Sequence, residues 1–273
     1  MSEPKTIIVN GRKRKLGTLK PPTGFVSSLP VFESAVEPLD DSTLLRIAKS
    51  NSATGRTMFD SSWIMDQGQY GSCNGWAGAS ALSRARVRRG LKRVNLSGAY
   101  LYSLINGGRD NGSMLDDGMR TLQSRGCATL DSVKSNQIYP SKYDRKKADR
   151  EAAKHKSFEA YQITSREGLW TALALGFDVV VAVHAGNAFS NIDRNGIAGV
   201  NNGGGNHAVM ADGLLYAGGE IVADGANSWG TRWGDVGRML LRWKHFERTI
   251  GVHSFYAIRS STDGDDGPPR VRR

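Results

Sequence analysis

A chain of 273 residues with 39% hydrophobic side chains is long enough for one large domain or for two lobes around a shared cleft. No apolar run approaches the roughly 20 residues that cross a bilayer, and the first residues, MSEPKTIIVNGRKRK, hold no long apolar stretch ahead of a cleavage site. The expectation is therefore no membrane insertion and no secretory signal, with the protein working in a cytoplasm or in a virion assembled there. The net charge of +11 is partly clustered, in GRKRK (11–15), RARVRRGLKR (84–93) and the terminal RVRR. No zinc-finger, RRM-like or helix-turn-helix signature accompanies it, so solvated tails and an exposed helix face are the expectation, with an acidic partner left open. The two cysteines do not form a CxxC pair, which argues against a structural metal and fits a reducing compartment.

In chain order, residues 1–30 carry Pro21, Pro22 and Pro30 with little periodicity and read as extended or poorly ordered. LDDSTLLRIAKS (39–50) predicts a short helix, and 52–63 a linker. Residues 73–89, rich in alanine and glycine, predict a central helix packed on several sides, with arginines at its far end and a stop at Gly90. Further helices are predicted over 97–105, after a capping box from Ser113 to Asp116, over 144–156, and after a box from Thr164 to Glu167 with a stop at Gly176. The pattern then changes. DVVVAVHA, HAVMADGLLYA, GEIVADGAN and GRMLLRWKHF predict an antiparallel sheet or partial barrel. Helices first and strands second imply an α+β protein with a groove between two lobes. The tail from 259 to 273 is expected to be disordered.

The chemistry is concentrated in GQYGSCNGWAGAS, where Cys73 stands at the point where a loop becomes a helix. Exposed N–H groups and the helix dipole stabilise a thiolate there. A lone cysteine is more often a core residue, but NGGGNHAVMADG places His207 at a strand entry and DGANSWG supplies Asn227 and then Trp229. His207 lies 134 positions after Cys73 and Asn227 lies 154 after it. An imidazole can pair with the thiolate and a carboxamide can orient the ring.

These residues resemble the papain family of cysteine peptidases. DQGQYGSC is similar to its nucleophile motif, NHAV to its histidine motif, and NSWGTRWGDVGRMLL to its Asn-Ser-Trp-Gly motif. The resemblance implies a two-lobed fold, with a helical N-terminal lobe, a β-barrel-like C-terminal lobe and the cleft between. It implies Cys73 as nucleophile, Gln67 as oxyanion donor, His207 as general base, Asn227 as its orienting partner and Trp229 as a shield over that hydrogen bond. INGGRDNG is similar to the cleft-lining Asn-Gly-Gly segment, which points to Gly107 and Gly108 as substrate-binding, with Asn206 beside the histidine. The peptidase domain is expected over 60–258, and 1–59 forms an extension, either propeptide or linker. No cofactor and no metal are implied, and the partner is a protein or peptide substrate.

The sequence departs from the family at Tyr70, where a cysteine is usual, and at Asn74, where tryptophan is usual. The missing disulfide fits an intracellular or phage-type member. Cys127 and His184 read as structural, and His155, His245 and His253 as surface or packing residues. Two other functions stay open: a virion-associated or structural protein that keeps the fold with little activity, and cell-wall peptide cleavage or acyl transfer by the same nucleophile.

Overall fold

The computed structural model describes residues 6–55 and 60–259. The tail beyond Arg259, with its RVRR run, and residues 56–59 of the expected linker lie outside the described residues. The chain opens on a hairpin, β1 (Thr6–Val9) paired with β2 (Arg12–Lys15). Asn10 and Gly11 make its turn at φ 49° and 73°, the left-handed pair that a two-residue hairpin needs. This corrects the expectation of an irregular N-terminus. Residues 16–18 then run buried across the protein.

Helices follow: α1 (Phe32–Ala35), α2 (Asp41–Thr54), α3 (Cys73–Arg88), α4 (Gly98–Ile105), α5 (Leu115–Ser124), α6 (Arg145–Ala152) and α7 (Arg166–Ala174). The strands are β3 (Ala160–Ile163), β4 (Asp178–Val183), β5 (His207–Ala217), β6 (Glu220–Ala226), β7 (Arg238–Arg242) and β8 (Phe255–Ile258). The last six form one sheet in the order β3-β8-β4-β5-β6-β7, antiparallel at each step. An α+β fold of helices followed by an antiparallel sheet is therefore observed. The four-residue strands β3 and β8 were too short to read from periodicity.

Two helix starts differ from their predicted boxes. At α5 the N-cap is Met114, without a side-chain cap. Ser113 instead accepts a hydrogen bond from Asn74 Nδ2 at 3.0 Å, and buried Asp116 accepts from Tyr256 Oη at 3.0 Å. At α7 the cap is Ser165, which accepts from Gly168 N at 3.0 Å. Glu33, reaching over from α1, accepts from Thr164 N and Ser165 N.

Small residues let α3 press against α4. A Cβ on Gly75 would lie 2.3 Å from the Gly98 carbonyl, and one on Gly98 would lie 2.4 Å from the Trp76 ring. The arginines of α3 are not the exposed face expected from sequence, because Arg84 and Arg86 are buried. Arg84 pairs with Asp212 of β5 at 2.9 Å, and Arg88 with Asp178 of β4 at 3.2 Å. Asp212 stands where the β5–β6 register slips, and Arg238 of β7 reaches both Asp212 and Asp224. Removing one member of such a buried set strands its partners without compensation.

Alanine for glycine inside a helix normally stabilises by about 1 kcal/mol. At Gly75 the sign is expected to reverse. Overpacking against Gly98 and Tyr102 should cost about 1–3 kcal/mol, read as a lower urea midpoint for Gly75→Ala.

Candidate active site

Cys73 is the first residue of α3 and is fully buried. His207 opens β5, and Asn227 directly follows β6. The β5–β6 pairing brings those two strand ends together, and packing of α3 on β5 brings the thiol to them. His207 Nε2 and Asn227 Oδ1 are 2.9 Å apart. Trp229 stacks on the imidazole at 4.6 Å with 29° between the planes. Phe189 closes the edge of both rings, and Trp233 stacks on Phe189. The His207–Asn227 bond is thus sealed in aromatic surface, where a hydrogen bond is electrostatically stronger than in water.

His207 Nδ1 has no oxygen or nitrogen partner and faces the thiol. Burial pushes the Cys73 thiol up. The hydrogen bond and charge of His207 outweigh it, with help from the Ala208 backbone and Thr18, and bring the thiol down to about 7 from 9.0. Cys127 shows the contrast. It is equally buried but has no cation beside it, and burial raises its thiol.

Gln67 is buried and held on three sides. Its N–H donates to Ser228 O at 2.8 Å, its Oε1 accepts from Ser228 Oγ at 2.7 Å, and its Nε2 donates to Tyr70 O at 2.7 Å. Ser228 N also donates to Asn227 Oδ1 at 2.8 Å. Ser228, which sequence reasoning passed over, links the glutamine to the asparagine. It stands inside the Asn-Ser-Trp-Gly motif, so the signal was present. The backbone of Tyr70, a departure from the family pattern, fixes the Gln67 amide. Asn74, the other departure, donates to Ser113 Oγ and to Met114 O and so ties the start of α3 to the far wall of the cleft.

Gln67, Cys73, Asn206, His207, Asn227 and Trp229 are brought together. Gly107 and Gly108 are not: they form an exposed turn after α4, where Gly108 N donates to Asn106 Oδ1. The backbone that faces the cleft there is Ser113. Of the remaining histidines, His184 packs against Gly203, and His155, His245 and His253 are buried. His245 lies between the Arg242 and Ala198 backbones, and His253 Nε2 is 2.7 Å from Gly204 O. Burial lowers the pKa of both.

The cleft is occupied by the chain's own N-terminal strap. Gln67 Nε2 donates to Lys15 O at 3.2 Å. Gly17 O accepts from Ser113 N at 2.8 Å and Leu19 N donates to Ser113 O at 3.0 Å, a parallel pairing. Thr18 N donates to Asn206 O at 3.1 Å, and Thr18 Oγ1 lies 3.6 Å from Cys73 Sγ. A hydroxyl therefore meets the sulfur, and the carbonyl on Gln67 belongs to a residue three positions away.

A thiol at a helix start beside an imidazole, with the imidazole oriented by a shielded carboxamide, defines the class of cysteine hydrolases. Residues 55–258 match the papain family of cysteine proteases, and the chain belongs to that family as a cysteine peptidase. Solved structures agree in fold. Xylellain, a cysteine protease from Xylella fastidiosa, superposes with a TM-score of 0.69 at 19% identity, covering 92% of this chain and 99% of that one. The cysteine protease and lectin-like domains of Cwp84 from Clostridium difficile give 0.68 at 16%, covering 91% and 56%. ProCathepsin B S9 from Trypanosoma congolense gives 0.59 at 20%, covering 90% and 86%. No curated protein matches the chain in sequence. Among the described residues no helix is long and apolar enough to cross a membrane, and no group of three or more His, Cys, Asp or Glu could hold a metal ion.

The thiolate absorbance lost on Cys73→Ala, measured near 240 nm across a pH series, is expected to have its midpoint at about 7. In His207→Ala only the Ala208 backbone and Thr18 still oppose burial, and the midpoint should rise.

Proposed function

We propose that the protein hydrolyses peptide bonds through a Cys73–His207–Asn227 triad and a thioester acyl-enzyme, and that residues 15–19 hold it latent. The observation that carries this reading is the aromatic-sealed His207–Asn227 bond, with the second ring nitrogen turned to a thiol whose pKa falls to about 7. Cys73 gives its proton to His207, and the thiolate Sγ attacks the scissile carbonyl carbon and forms the C–S bond. The oxygen takes the negative charge and is met by Gln67 Nε2 and the Cys73 N–H at the start of α3. Collapse breaks the C–N bond, and His207 gives its proton to the departing amine. His207 then takes a proton from water, the hydroxide displaces the thiol from the thioester, and the acid leaves. Asn227 keeps the ring in place throughout.

In the closed arrangement the Gln67 hydrogen that would serve the oxyanion is used on Lys15 O. The Thr18 hydroxyl covers the sulfur. Cleavage of a peptide substrate therefore requires the strap to leave. The match of residues 55–258 to the papain family of cysteine proteases supports the enzyme over a structural role.

Two outcomes test this. With the strap released by Gly17→Ala, rapid stoichiometric modification by a thiol-directed epoxide is expected at Cys73 and not at Cys127, with loss of peptide cleavage when Cys73→Ala is added. A Gly17→Ala chain that cuts a peptide library as fast with Cys73→Ala added as without it would refute the triad. Gly17→Ala should open the cleft, because its Cβ would lie 1.8 Å from the Gly71 carbonyl. Weakening the strap by only 1.4 kcal/mol corresponds to about a tenfold faster Cys73 labelling rate, and an unchanged rate would rule out the strap as the latch.

A further inference from the structure

The strap is anchored beside the catalytic residues chiefly by Arg14, with the more exposed Arg12 Nη1 3.8 Å from Asp66 Oδ2, and the surroundings of Arg14 form a site in their own right. Arg14 is buried, at 4% exposure. Its Nη1 donates to Asp66 Oδ1 and, at 2.9 Å, to Gly68 O. Its Nη2 donates to Asp66 Oδ2 at 3.2 Å and to Trp229 O at 2.9 Å. A planar guanidinium is thus received by a two-oxygen carboxylate and two carbonyls, which matches the fork of arginine and not the point charge of lysine. None of the three acceptors belongs to the strap. They are fixed by the peptidase body, where Asp66 pairs across to Trp229, Gln67 N donates to Ser228 O and Gly230 N donates to Met65 O. Asp66 Oδ1 is also held by Gly68 N at 2.8 Å. Beside the seat, a cavity of about 400 Å³ lies between the hairpin and Trp229–Arg232.

We propose that the Asp66 carboxylate with the carbonyls of Gly68 and Trp229 is a guanidinium-binding subsite of the cleft, and that the peptidase selects peptides with an arginine next to the bond it cuts. The position follows from the strap. Arg14 neighbours Lys15, whose carbonyl takes Gln67 Nε2. In a productive complex that amide serves the scissile carbonyl, so the guanidinium seat lies within a residue or two of the bond. Trp229 stacks on His207, which puts the seat on the side where the leaving amine collects its proton. Arg14 holds the place of the substrate's arginine in the closed form, and the two compete for one carboxylate. Lys15 makes a lesser contact of the same sign, its Nζ donating to Asp110 O and lying 3.3 Å from Asp110 Oδ2.

The selectivity for cleaved peptides rests on the peptidase reading above, and the subsite itself does not, so binding and cleavage are measured separately. Full-length chain carrying Cys73→Ala, Gly17→Ala and Arg14→Gln is titrated calorimetrically with two blocked peptides that differ only in arginine against citrulline. The arginine peptide is expected to bind about tenfold tighter or more, and adding Asp66→Asn should bring the ratio close to one. Equal affinities, or a preference that survives Asp66→Asn, would overturn the subsite. Should Arg14→Gln not give a folded chain, Arg14→Met, closer to the aliphatic stem, takes its place with the same two outcomes. Peptides cut by the chain carrying Gly17→Ala alone are then sequenced by mass spectrometry. Enrichment of arginine beside the cut supports the proposal, and cutting without enrichment overturns it. Discrimination by the Cys73→Ala chain alongside no cutting by the chain carrying Gly17→Ala alone would refute the triad and leave the subsite standing.

Discussion

The catalytic geometry depends on a charge placed where the sheet slips. Asp212 stands at the irregularity between Ala211 and Gly213 in β5, and there it meets Arg84 of α3 and Arg238 of β7. Burial raises its pKa, but the arginines lower it further and keep it ionised. The three elements joined at this point are the helix that starts with Cys73, the strand that starts with His207 and the strand beside the one that ends before Asn227. Apolar packing alone tolerates sliding and repacking. A buried ion set does not, because a displaced charge has nothing to pair with. The network therefore fixes the register between helix and sheet, and the distances at the active site follow from that register. Asp178, further along, is held at about 7, because burial and the Asp212 charge outweigh its partner Arg88.

Much of this was legible in the sequence, for physical reasons. The nucleophile, the histidine, the asparagine and the tryptophan each belong to short motifs, and the alternation of β-branched residues marks the strands that carry two of them. What was lost lay in tertiary use of side chains. Ser113 has the spacing of a helix cap, yet its hydroxyl goes to Asn74 and its backbone faces the cleft. Gly107 and Gly108 have the right residue types but sit early in the loop. Asp110 then draws the chain back by accepting from Gly71 N and Tyr102 Oη, and the wall forms at Ser113. The arginines of α3 look like a solvated face until the sheet supplies their carboxylates.

The N-terminal hairpin was legible and was missed. Asn10–Gly11 between TIIV and RKRK is a turn signal that composition obscured, since four basic residues in five suggest a solvated tail. Their partners, Asp66 and Asp110, are more than fifty positions away in sequence, and no local pattern announces such pairing. The two departures from the family pattern, Tyr70 and Asn74, likewise turn out to serve the site through backbone and amide contacts.

The contact between Thr18 and Cys73 has a consequence for redox chemistry. A thiol with a pKa of about 7 is substantially ionised near neutrality, and thiolates are the form that peroxides attack, first to the sulfenic acid and then irreversibly beyond it. Cys73 has no resolving cysteine beside it: Cys127 is buried elsewhere, 3.4 Å from Ser97 O, and the two remain free thiols. With the strap in place the sulfur has no solvent-accessible surface, so the arrangement that withholds the cleft from peptides also keeps its most oxidisable atom out of reach.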